Sequence, residues 1–132
     1  MAIVKATYTK SKAGAKAAIR YIQHRPGRDG EKATRELFGS DGVLDRQEAY
    51  RMIDAAEKGS VFFRIVISPD PQTEDTARDL QLGEVTAQTM LTLEERLPTA
   101  ISYVAVEHDD HALHRHVHVL ACVKGRLNMQ DF

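Results

Sequence analysis

The chain has 132 residues, is 42% hydrophobic and carries a formal net charge of −1. That is the size of one compact domain with enough apolar content for a core, which excludes fibrous, collagen-like and disordered classes. A single cysteine, Cys122, precludes an intrachain disulfide and suits a reducing compartment.

The start, MAIVKATYTKSKAGAK, lacks the apolar h-region of a secretory signal, and no run approaches the ~18 apolar residues of a membrane span. The expectation is a cytoplasmic domain with no membrane partner. The charge is unevenly placed. Residues 1–35 hold nine Lys/Arg against two Asp/Glu, whereas the remainder holds nine against seventeen. Such asymmetry fits either a polyanion partner or a solvated basic face.

In chain order, residues 2–9 (AIVKATYT) are rich in β-branched and aromatic residues and read as a strand. Ser11 is placed to cap a helix over residues 12–25, where Ala15, Ala18, Ile19 and Ile22 recur at core-facing helical spacing. Arg25-Pro26-Gly27 ends it, and residues 26–44 read as a loop region with a short strand near Leu37-Phe38. Residues 45–58 read as a helix closed by Gly59. Residues 60–68 (SVFFRIVIS) are a strand stopped by Pro69 and Pro71, and residues 73–96 are a long helix beginning near Thr73 or Asp75. Residues 100–107 and 115–123 are strands, and their short link predicts an antiparallel pair. The pattern favours an α+β domain with a largely antiparallel sheet.

Five of the six histidines fall within HDDHALHRHVH, residues 108–118. Strand side chains alternate between faces, so His116 and His118 share a face with Leu120 and Cys122, while Val117, Val119 and Ala121 take the other. If the two last strands pair, His108 comes to lie beside His116. Three imidazoles then converge in a way that suits Zn, Mn, Ni, Cu or Fe and leaves positions open for a substrate oxygen. Asp109 and Asp110 are near enough to orient a ligand histidine or to be ligands themselves. His111 and His114 compete with His108 as the third ligand. The plain alternative is an exposed hairpin that happens to be rich in histidine.

Tyr21, in AAIRYIQHRPG, falls on the flank of the helical stripe, roughly 110° from its centre at 100° per residue. Gly14 and Ala17 lie beneath it and leave a shallow lane for a phosphate backbone, with Lys12, Lys16, Arg20 and Arg25 read as surrounding that lane. A phenol has a pKa near ~10 and needs a base or a polarised target to act as a nucleophile, and a phosphodiester beside a divalent ion meets that need. His24, one turn on, is a possible base.

These features, taken in order, resemble the relaxases of mobilisable plasmids and conjugative elements, members of the HUH endonuclease superfamily. The match is carried by Tyr21 in RYIQ on the first helix, FFRIVIS ending at Ser68, and His108 preceding the His116-Val117-His118 pair. It spans most of residues 1–123.

The resemblance implies an α+β fold with a central, largely antiparallel five-stranded sheet flanked by helices. It implies a divalent metal ion, Mg or Mn with Zn or Ni as alternatives, held by His108, His116 and His118. It also implies nicking of single-stranded DNA by Tyr21 at an origin-of-transfer hairpin, leaving a 5′-phosphotyrosine link. Ser68, Lys12, Lys16, Arg20, Arg25 and Arg28 would contact DNA, and accessory relaxosome proteins are expected partners.

Two departures stand out. Many members carry Asn-Pro before the histidine pair, where this chain has His114-Arg115. Fourteen residues follow His118, fewer than in typical members, so a single relaxase domain that is the N-terminal part of a longer protein is one expectation. Replication initiators and single-tyrosine transposases of the superfamily place the tyrosine after the histidine pair, and here no tyrosine follows Tyr103. Tyr8, Tyr50 and Tyr103 are the remaining tyrosines. The alternative reading is a catalytically degenerate DNA-binding module.

Overall fold

The computed structural model describes residues 2–24, 35–40, 42–56, 59–68, 82–96, 101–108 and 116–124. Strand β1 (Ala2–Thr9) leads into helix α1 (Lys12–His24). Two short strands, β2 (Leu37–Gly39) and β3 (Gly42–Leu44), form a hairpin before helix α2 (Arg46–Asp54). Strand β4 (Ser60–Ser68), helix α3 (Leu82–Arg96) and the paired strands β5 (Ile101–His108) and β6 (His116–Lys124) follow.

The helix starts follow from local chemistry. Ser11 Oγ accepts a hydrogen bond from the Gly14 amide at 3.0 Å, meeting one of the otherwise orphaned donors of α1. Asp45 caps α2 and exchanges bonds with Glu48 in a reciprocal capping box, so this helix begins one residue after the expected start.

Among the described residues all strand pairs are antiparallel, and they build one six-stranded sheet in the order β1-β4-β6-β5-β2-β3. The α+β class agrees with the sequence reading, but the expected count of five does not. The sixth strand is β3, three residues long and opened by Gly42 at φ 105°. A strand that short has no alternation to read, and Gly42 adopts a left-handed conformation open to glycine at no steric cost. Helix α3 is described from Leu82 onward, and the expected start near Thr73 or Asp75 lies outside the described residues. No described helix is long and apolar enough to cross a membrane.

The sheet separates two apolar layers. On one face Phe63, Ile65, Ile67, Tyr103, Val117, Val119 and Val123 pack with Met90 and Leu93 of α3. On the other, Phe62, Val104, Val106 and Leu120 pack with Ala15, Ala18, Ile19 and Ile22 of α1 and with Ala49 and Ile53 of α2. Consecutive phenylalanines thus serve opposite layers, as strand alternation requires. Each is 1% exposed, and truncating either to alanine would cost about 3–5 kcal/mol. Strand β6 runs between β4 and β5, so the histidine pair stands on a strand hydrogen-bonded along both edges.

Candidate active site

Register fixes which face the histidines occupy. Leu120 pairs with Arg64 and Val104, and His118 pairs with Val66 and Val106. Leu120, Val104 and Val106 belong to the layer under α1, so His118 and His116 lie on the α1 side of the sheet with Leu120 and Cys122. The expected division of β6 into a histidine face and a valine face holds. The imidazoles of His116 and His118 meet edge to face, their centroids 4.9 Å apart and their planes at 63°.

His108 closes β5 directly opposite His116, as the hairpin reading anticipated. Asp109, Asp110, His111 and His114 lie outside the described residues, as do Arg25 and Arg28. Among the described residues no group of three His, Cys, Asp or Glu side chains is assembled to hold a metal. The rings of His116 and His118 adjoin on this face, and imidazole nitrogen is a donor that suits borderline-soft divalent ions. Nε2 of His118 is shielded from solvent.

Tyr21 rises beside this face. Burying Ala15, Ala18, Ile19 and Ile22 puts Tyr21 on the flank of α1, 51% exposed. A cleft of about 270 Å³ opens between α1 and strands β1, β4 and β6, lined by Thr7, Ala18, Tyr21, Arg64, Val66 and His118 among others. Tyr21 and His118, distant in sequence, thus share one cavity. A shallower groove continues from Tyr21 along Ala17 and Gly14 to Thr9, matching the lane of small residues expected on this flank. A Cβ at Gly14 would come within 3.1 Å of Thr9 Oγ1, so glycine allows the close approach of α1 to the end of β1.

The other tyrosines are placed elsewhere. Tyr103 is buried in the α3-side layer. Tyr8 sits opposite Phe63 in register, with ring centroids 6.0 Å apart. The Tyr50 hydroxyl accepts a hydrogen bond from Arg20 at 3.0 Å.

The cations of α1 correct the sequence reading. Lys12 donates to the Asp54 carbonyl at 2.8 Å, and Lys16 pairs with the Asp54 carboxylate at 2.8 Å and lies 5.4 Å from the Tyr50 ring centre. With Arg20 they form an i, i+4 row that faces α2, roughly 140° around the helix from Tyr21. They do not surround the lane. His24, the possible base, is engaged by the Arg46 side chain of α2. Ser68 lies two residues beyond Val66 on the same strand face, at the end of β4 nearest the histidines.

The cation that does enter the cleft was missed from sequence. Arg64, on β4, has its guanidinium 5.6 Å from the centre of the Tyr21 ring. It is the exposed position in an otherwise covered strand, and alternation with Phe62 and Val66 puts it on the helix side. A charge at a core-facing position of FFRIVIS was the available signal. At the far end of this face, burial pushes the Cys122 thiol up, partly offset by a hydrogen bond with Ser60 and by the charge of Lys12.

Comparison of the chain with protein-family models, with curated proteins and with solved structures gives no match.

Proposed function

We propose that this domain is a metal-dependent, strand-specific DNA nicking and joining enzyme of the relaxase type, with the HUH endonuclease fold extended by one short strand. The observation that carries the reading is the shared cleft. Tyr21, the tyrosine flanked by small residues, opens onto the same cavity as His118 of the H-x-H pair.

In this reading Tyr21 Oη attacks a phosphodiester of single-stranded DNA. The new O–P bond forms as the bond to the 3′-oxygen breaks. The phenol proton ends on that oxygen, leaving a 3′-hydroxyl and a 5′-phosphotyrosine. The same exchange run backwards rejoins the strand, and no external energy source is needed because one phosphodiester replaces another. A divalent ion bound by His108, His116 and His118, Mg or Mn by supply and Zn or Ni by imidazole affinity, would polarise the scissile phosphate. The chain's own part is positioning. Helix α1 is packed onto the sheet by four buried side chains, which limits the travel of Tyr21. The natural substrate would be the origin-of-transfer hairpin in the cytoplasm, handled with accessory relaxosome proteins.

The test is incubation with labelled single-stranded oligonucleotides, with and without Mn or Mg, followed by denaturing gels. A covalent protein–DNA adduct is expected with metal, none with chelator and none from Tyr21→Phe. His118→Ala should slow the adduct on the order of 100-fold. DNA binding that persists unchanged in both variants, with no adduct from the unsubstituted protein on any origin-like hairpin, would favour the degenerate binding module instead.

A further inference from the structure

We infer that Arg64 is the phosphate-binding residue of the Tyr21 cleft, gripping the DNA backbone at the phosphodiester presented to the phenol. The inference rests on the nicking reading for its substrate and adds a residue that the sequence motifs do not include. Three observations converge on it.

The first is its position. Phe62 and Leu120 flank Arg64 on the helix-covered side of the sheet and are each 1% exposed. A charged group there forgoes the burial that an aliphatic side chain would gain, and a charge keeps such a place only by reaching water or an anion. The opening it reaches lies between β1 and α1, where it pairs in register with Thr7.

The second is its contact. The guanidinium sits 5.6 Å from the Tyr21 ring centre, within cation–π range. A guanidinium over an aromatic ring keeps its N–H donors in its own plane, free for the two-point recognition of a phosphate that an ammonium cannot match. The contact therefore ties the guanidinium to the position of Tyr21. Arg64 lines both the cleft and the adjoining groove, so it stands where the two meet.

The third is its lack of competition. Among the described residues no carboxylate is paired with Arg64, whereas Lys12, Lys16 and Arg20 are each held by α2. The basic N-terminal segment thus spends those cations on the fold and leaves Arg64 as the cation of the cleft among the described residues.

The experiment measures binding of a labelled single-stranded DNA oligonucleotide by anisotropy over a KCl series. Adduct formation with Mn is followed on the same proteins: the unsubstituted chain, Arg64→Ala and Arg64→Lys, with circular dichroism confirming folding. Arg64→Ala should weaken binding on the order of 10- to 100-fold, and the slope of log affinity against log salt should shrink by about 0.7, the value of one phosphate on a single strand. Arg64→Lys keeps the charge and should retain the slope, yet form adduct more slowly because the planar fork is lost.

Adduct from the unsubstituted protein with unchanged affinity, slope and rate in Arg64→Ala overturns this inference and leaves the nicking reading standing. A reduced slope in Arg64→Ala with no adduct from any protein supports the phosphate contact and overturns the nicking reading. Absence of any DNA binding by the unsubstituted protein overturns both.

Discussion

Ile22 decides whether α1 is fixed to the sheet by packing. It adjoins Tyr21, is 2% exposed, and belongs to the layer formed with Ile19, Phe62, Val106 and Leu120. Ile22→Ala removes three carbons, a transfer loss of about 2.4 kcal/mol at ~0.8 kcal/mol each. The void left behind raises the cost to about 3–4 kcal/mol, within the usual span for such truncations. With a urea slope of about 1.5 kcal/mol per molar, the unfolding midpoint should fall by roughly 2 M. Tyr21→Phe, at a half-exposed position, should change stability by less than ~0.5 kcal/mol.

Far-UV circular dichroism in urea reads both, since the chain has no tryptophan to report by fluorescence. Under conditions where Ile22→Ala remains folded, its adduct rate should still drop, because a displacement of ~1 Å at a reacting group can cost on the order of 100-fold. A cost below ~1 kcal/mol for Ile22→Ala, or a larger cost for Tyr21→Phe, would refute packing as the anchor of α1.

Other substitutions probe the supports of the site. At Gly39 a Cβ would lie 2.9 Å from the Tyr103 carbonyl oxygen and 3.0 Å from Leu44 Cδ2. Backbone cannot yield as a side-chain tip can, so Gly39→Ala should cost about 1–3 kcal/mol in thermal or urea unfolding. Asp45→Ala removes the α2 cap and its partner bond with Glu48 and should cost about 1 kcal/mol, measured the same way.

Cys122 gives a pH test. Its thiol is held above the ordinary value of 9.0, chiefly by burial, so the folded state keeps its proton longer than the unfolded chain does. The stability it contributes is complete below 9.0 and is lost as pH rises toward the folded value. Urea midpoints measured on the alkaline side should fall less steeply for Cys122→Ala than for the unsubstituted chain.

Much of the site was legible because it depends on short periods. Alternation in residues 116–124 alone places His116 and His118 on the face of Leu120, and the 3.6-residue repeat alone puts Tyr21 on the flank of α1. Gly14 and Ala17 follow from the same wheel. The same wheel sets the row of Lys12, Lys16 and Arg20 on the opposite flank, because nearness along the chain does not measure position around a helix. Where Asp54 and Tyr50 would stand to receive them was not legible, since that depends on how α2 returns against α1.

Arg64 marks the boundary of such reading. Its strand, its alternation phase and its oddness among apolar neighbours are all local, but its closeness to Tyr21 depends on sheet order. Strand β1 pairs with β4, β4 pairs with β6, and α1 leaves β1 to lie across the same face. That order brings together a helix flank, the charged position of one strand and the histidines of the next, with no local pattern announcing it. Tyr21, Arg64 and the His116–His118 pair stand on three separate elements, each secured by burial or by strand pairing on both edges. A reaction that must hold a severed strand and then rejoin it at the same phosphate needs its groups kept within a fraction of an ångström between the two steps. Mounting them on paired strands and a packed helix meets that demand through the fold itself.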